Sequence, residues 1–108
     1  MASPYGGGVE VARLDVATAA TSTKLVTGVT GTRIGVIAVY ASSEVAGQIT
    51  IEDAGDAFEL YVAIDGATSM VAPSGEYLFH IAAGVDLDVT TDITGKHYVH
   101  ILYKFVPA

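Results

Sequence analysis

Residues 85–90, Val85-Asp86-Leu87-Asp88-Val89-Thr90, alternate apolar and polar side chains without a break. A period of two is the pattern of a strand with one face buried and the other in water. A chain built from such segments buries them only by pairing strands into sheets and stacking the sheets. The pattern recurs. In 58–64, Phe58, Leu60, Val62 and Ile64 fall on one side with Tyr61 opposite, and 48–52 is a shorter case. Near the end, Val99, Ile101, Tyr103 and Phe105 share a face while His100 and Lys104 point the other way. Residues 33–41 are apolar on both parities, which is expected of a central strand covered from both sides. Earlier strands are expected at 9–16 and 22–27. In the first, the apolar phase changes between Val11 and Leu14, which suggests a bulge.

Valine, isoleucine and threonine supply 33 of the 108 residues, against six leucines and no asparagine. β-branched side chains are stiff at χ1 and crowd the preceding turn of a helix, so the composition favours pleated surface. Only residues 17–20 lean towards helix, and four residues are too few to stand alone. Glycine and small polar residues break the runs at 28–32, 42–47, 53–56, 65–69, 73–75, 83–84 and 92–95, close to the roughly 8 to 12 residue spacing of sandwiches and barrels. The expected fold is all-β, a jelly-roll-like antiparallel sandwich of about eight strands. The alternative is an immunoglobulin-like sandwich, whose core Trp and Cys pair are absent here. Residues 1–8, with Pro4 and three consecutive glycines, read as a flexible N-terminal arm, and 9–108 as one sandwich domain.

Twelve acidic and five basic residues leave a net charge of −7. Phosphate backbones are bound by clustered Lys and Arg, whereas Arg13, Lys24, Arg33, Lys96 and Lys104 are scattered, so neither nucleic acid nor an anionic membrane is an expected partner. The N-terminus lacks the basic and apolar regions of a secretory signal, and no apolar stretch reaches the roughly 18 to 20 residues of a membrane helix. Without cysteine there is no disulfide, thiolate metal site or thiol nucleophile.

The polar residues offer few sites. His97 and His100 are three apart, so on a strand they face opposite ways and do not grip one ion. His80 is expected opposite the apolar set Tyr77, Phe79 and Ile81, and all three histidines are read as surface or inter-subunit residues. The acidic segment 52–59, with Asp53 and Asp56 in a hairpin loop, gathers oxygen ligands that suit calcium without matching an EF-hand. Asp86 and Asp88 share a solvated face with Asp92 just beyond, and ordinary acidic surface accounts for both groups. No nucleophile elbow or phosphate loop is present. No catalytic, cofactor or metal residue is assigned and no enzyme is expected. Six tyrosines (Tyr5, Tyr40, Tyr61, Tyr77, Tyr98, Tyr103) stand out, because aromatic residues with a polar tip are enriched at interfaces.

Three stretches carry a resemblance. The first runs from Thr21-Ser22-Thr23-Lys24-Leu25-Val26 through the turn Val29-Thr30-Gly31-Thr32-Arg33-Ile34 into an apolar strand. The second is Pro73-Ser74-Gly75-Glu76-Tyr77-Leu78-Phe79 followed by Ala82-Ala83-Gly84-Val85-Asp86-Leu87. The third is Thr94-Gly95-Lys96-His97-Tyr98-Val99-His100-Ile101-Leu102-Tyr103. Together they resemble the small jelly-roll proteins that decorate or cement bacteriophage capsids. The chain departs from that pattern where Tyr77 stands in place of a frequent Trp, and in its N-terminal arm. The resemblance implies a non-enzymatic virion protein on the capsid surface, assembled in the host cytoplasm, that binds the major capsid protein as a trimer and stabilises the head. Two other classes stay open on the residues: a carbohydrate-binding sandwich or a phage tail or fibre component, using exposed tyrosines and the Asp53–Asp56 loop, and a cupin-type enzyme, for which the histidine spacing is unsuitable.

Overall fold

The computed structural model describes residues 8–52 and 57–108. Within them run nine strands: β1 (Glu10–Val16), β2 (Ala20–Val26), β3 (Thr32–Ser43), β4 (Gly47–Glu52), β5 (Ala57–Val62), β6 (Gly66–Val71), the two-residue β7 (Phe79–His80), β8 (Leu87–Thr91) and β9 (His97–Pro107). The described residues hold no helix, and Ala20, from the segment with helical leaning, opens β2 instead. One sheet has the order β1-β9-β3-β6, with β7 on the same edge of β3 as β6; the other has the order β2-β8-β4-β5. All pairings are antiparallel.

Leaving out the short β7, the pairs nest: β1 with β9, β2 with β8, β3 with β6, β4 with β5. That is a long hairpin wound around itself into two four-stranded layers, the jelly roll. An immunoglobulin-like sandwich places several consecutive strands side by side, whereas here only β4 and β5 are both consecutive and paired.

The core is filled by alternate residues from the two inner faces. Val36, Val39 and Ile101 from one sheet meet Ile49, Ile51, Leu87 and Val89 from the other, all essentially without solvent contact. Truncating one of these isoleucines to alanine costs about 2–5 kcal/mol, since a packed core relaxes only partly around the void.

Strand β3 corrects the expectation that residues 33–41 are covered on both faces. Its register against β9 slips by one residue between Val36 and Ala38, so Ile37 is a bulge. An inserted residue reverses the parity of everything after it. Ile34 and Val36 therefore face the core before the bulge, and Val39 and Ala41 after it. The outward set, Arg33, Gly35, Ala38, Tyr40 and Ser42, is mostly small or polar and is covered only in part: Gly35 and Ala38 are buried, while Arg33 and Tyr40 are exposed. The bulge expected in β1 is not there: β1 runs in unbroken register with β9, and Val11 sits on the outer face while Ala12 and Leu14 are buried. Ile64 does not continue the inward face of β5, which ends at Val62, and is exposed. The break expected at 65–69 is instead most of β6. The expected arm, apart from Gly8, and the loop 53–56 lie outside the described residues.

Candidate functional site

The fold disperses the histidines. His97, expected at the surface, has the inward parity of β9 and is 1% exposed. Its Nδ1 lies 2.7 Å from the carbonyl oxygen of Gly95, which only accepts, so the proton is on Nδ1. Nε2 then accepts from the Thr91 hydroxyl at 2.8 Å. Thr91 Oγ1 in turn accepts the Ala20 N–H at 3.1 Å. This relay links β2, β8 and β9 and ties one sheet to the other inside the sandwich. His100 faces outward, its ring 5.4 Å from that of Tyr98, so His97 and His100 do not converge. His80 lies beside Tyr77, with ring centroids 4.8 Å apart, and not on the opposite face as expected. Partial burial and the neighbouring Arg33 hold His80 below the usual imidazole range. Tyr77 itself lies over Gly35, where any Cβ would come within 2.5 Å of the ring. Among the described residues no group of three or more His, Asp or Glu side chains converges on a metal-sized site.

The carboxylates hold turns. Asp86 accepts the Gly28 N–H at 2.6 Å and pairs with Lys24 at 3.2 Å; the backbone donor first and Lys24 second lower its pKa. Asp92 accepts the Gln48 N–H at 2.7 Å, and Glu52 accepts the Thr90 hydroxyl. Asp53 and Asp56, on which the calcium expectation rested, lie outside the described residues.

The tyrosines are divided. Tyr5 lies outside the described residues. Tyr103 turns inward against Phe105, and Tyr61 stands exposed on the outer face of the β2-β8-β4-β5 sheet. Tyr40 and Tyr98 come together on the outer face of the other sheet. Directly opposed residues in antiparallel strands share a face, and the registers give that face three rows across β1, β9, β3 and β6. Val11, Leu102, Ala38 and Val71 form an apolar row; Arg13, His100, Tyr40 and Ser69 form the next; Asp15, Tyr98, Ser42 and Ala67 the third. Val11, Val71, Tyr40 and Tyr98 are all between 40% and 57% exposed, whereas Leu102 is half-buried and Ala38 is buried, so the apolar row is open to solvent at its two ends and the tyrosines beside it are open. Between Tyr40, Ser69 and Tyr98 lies a shallow depression of about 320 Å3. It adjoins one of about 450 Å3 lined by Asp15, Glu44, Asp65 and Lys96, the two sharing Ser42 and Tyr98.

A rigid sheet presenting an apolar row, two tyrosines and hydroxyls is equipped for contact by burial, with polar groups to fix orientation. The parity of β9 was readable from sequence. That of Tyr40 was not, because it depends on the bulge at Ile37. Comparison of the chain with protein-family models, with curated proteins and with solved structures gives no match.

Proposed function

We propose that this chain is a non-enzymatic structural protein of a bacteriophage head, a decoration or cement protein that seats as a trimer on the assembled shell, binds the major capsid protein and clamps neighbouring subunits. The observation that carries this reading is the outer face of the β1-β9-β3-β6 sheet, with the exposed Val11, Val71, Tyr40 and Tyr98 in adjoining rows on a sandwich whose geometry is fixed by its core. The jelly-roll winding agrees with the fold that the sequence resemblance implies. A protein that binds only the assembled shell stabilises it by linkage, by about 2.7 kcal/mol per site when free protein is a hundredfold above its dissociation constant. The test is to add purified protein to heads stripped of it and follow their survival on heating. A rise in the disruption temperature that saturates with added protein is expected, and no rise refutes the proposal.

The pairing of Tyr40 and Tyr98 about a hydroxyl-lined depression supports a second reading, a sugar-binding face, since flat rings and nearby hydroxyls suit a pyranose. Calorimetry against a glycan panel separates the two. Saturable sugar binding lost in Tyr98→Ala favours this second reading.

A further inference from the structure

The two sheets end in β1 and β6, and in β2 and β5. Strand β1 carries Glu10, Arg13 and Asp15, and β5 carries Glu59. Strand β2 carries Lys24 and is broken by register shifts around Ser22, whose φ is +41°. Charges and bulges of this kind keep an open edge from templating a further strand. Strand β6, Gly66-Ala67-Thr68-Ser69-Met70-Val71, has no charge, no proline and no register shift against β3. The Ala72 N–H donates to the Ile37 carbonyl at 2.9 Å, and in an antiparallel ladder such bonds fall on every second residue. Thr68 and Met70 therefore bond towards β3. The N–H and C=O groups of Ala67, Ser69 and Val71 point out of the sheet edge, without a partner among the described residues. Met70 opposes the core residue Val39 and so has the inward parity, yet it is 41% exposed, because it sits at an edge with no described strand beyond it.

We propose that β6 pairs with β6 of a second copy of this chain, antiparallel about a two-fold axis at Ser69. In that register Ala67 opposes Val71 of the other copy, Ser69 opposes Ser69, and Met70 is covered by Thr68. The outward N–H and C=O groups of Ala67, Ser69 and Val71 all find partners. A slip of two residues one way sets Asp65 against Val71, and the other way sets Pro73, which has no N–H, against Ala67, so the chain itself selects the register. Charge selects the orientation. Arg33 and Lys104 lie towards one end of the β1-β9-β3-β6 sheet, while Asp15, Glu44 and Asp65 gather at the other. Lys96 among these acids, and Glu76 in the loop after β6, soften the contrast without reversing it. Antiparallel pairing sets the acidic end of each copy alongside the basic end of the other, whereas parallel pairing brings like ends together. A contact that uses the same strand on both sides closes at two copies. It is separate from the three-fold contact of the proposed trimer, and it does not rest on the capsid reading.

The chain has no cysteine, so single introduced cysteines report contacts between copies. Facing residues in such a ladder have Cα atoms about 5.5 Å apart, within reach of a disulfide. Full-length Ser69→Cys, a mixture of Ala67→Cys with Val71→Cys, and Thr18→Cys, which is exposed between β1 and β2, are oxidised mildly and followed on non-reducing gels. Ser69→Cys is expected to form dimers about tenfold faster than Thr18→Cys, and the mixture about tenfold faster than Ala67→Cys or Val71→Cys alone, since only the mixture brings its cysteines face to face. Ser69→Lys places two ammonium groups together at the axis and is expected to weaken self-association about tenfold in sedimentation, with a thermal melt showing that it is folded. Cross-linking at Ser69 no faster than at Thr18, a mixture no faster than its components, or Ser69→Lys protein that associates like wild type each overturns the inference. Wild type that cross-links only as a trimer through other surfaces overturns it as well and leaves the capsid reading standing. Failure to protect stripped heads refutes the capsid reading alone.

Discussion

Replacing His97 by leucine fills much of the same volume and removes both ring nitrogens from the relay that joins the sheets. Two groups then lose their partners, the Thr91 hydroxyl proton and the Gly95 carbonyl. An unsatisfied buried polar group costs about 1–3 kcal/mol. Gly95 is only partly buried and so falls at the low end, and the extra apolar burial of leucine returns about 1 kcal/mol. The net expectation is a loss of about 1–3 kcal/mol, which for a domain of this size is a fall in Tm of about 5–15 °C. Thr91→Val approaches the same relay from the other side, stranding the Ala20 N–H and His97 Nε2. Because the single variants each orphan the other's partner, the double variant His97→Leu, Thr91→Val is expected to cost less than the sum of the two by about 1–2 kcal/mol. Urea unfolding measures all four proteins, and an unchanged m-value guards the comparison. Single losses below about 0.5 kcal/mol, or a double variant that is additive within about 0.3 kcal/mol, refute the claim that these residues act as one buried network.

Gly35→Ala pushes a Cβ into the Tyr77 ring and is expected to lower stability by about 1–3 kcal/mol; Tyr77→Ala in the same background relieves the clash, so a thermal melt of the double variant that shows no relief speaks against the contact. The lowered pKa of Asp86 gives a signed pH dependence. Its contribution to stability is present above the unfolded value of 3.8 and is lost as pH falls through the lower folded value, so the Tm gap between wild type and Asp86→Asn is expected to close as the pH is taken from about 5 to about 2. His80 is also lowered, from 6.5. The unfolded chain takes up its proton first, stability declines as pH falls from 6.5 through the folded value, and His80→Gln is expected to flatten that part of the Tm profile.

The alternation at 85–90 and 97–105 places β8 and β9 and assigns their inward faces directly, because the period of a strand is written in its side chains. The layering follows from the number and spacing of such runs. What alternation cannot reveal is an inserted residue. In β3 both parities are apolar, so cover on both sides and a bulge leave the same trace, and only pairing with β9 distinguishes them. Tyr40 therefore joins Tyr98 through tertiary register, and the face they share has no local signature. His97 shares the inward parity of Val99 and Ile101, so its burial is legible there, but the relay it joins is not. Its partners Thr91 and Gly95 are close in sequence, but the relay closes on Ala20, more than seventy residues away. Residues 65–69 read as a break because they are rich in small and polar residues, yet Gly66–Val71 forms an edge strand, where a weak propensity is sufficient once β3 supplies a template.

Strand β9 is the last of the described strands to be synthesised, and it lies between β1 and β3, making every hydrogen-bonded link between them. No nascent fragment ending before it can complete that sheet, so β1 must wait unpaired until β9 is made. Folding is therefore expected to be slow, as for other topologies dominated by pairings distant in sequence. The same nesting acts in reverse on the finished molecule: neither end of the chain can be stripped away without removing β1 from one edge or β9 from the middle. Unfolding of this sheet has to free β9 from both of its neighbours, so the lifetime of the native state is a separate quantity from its equilibrium stability and the one on which this nesting acts.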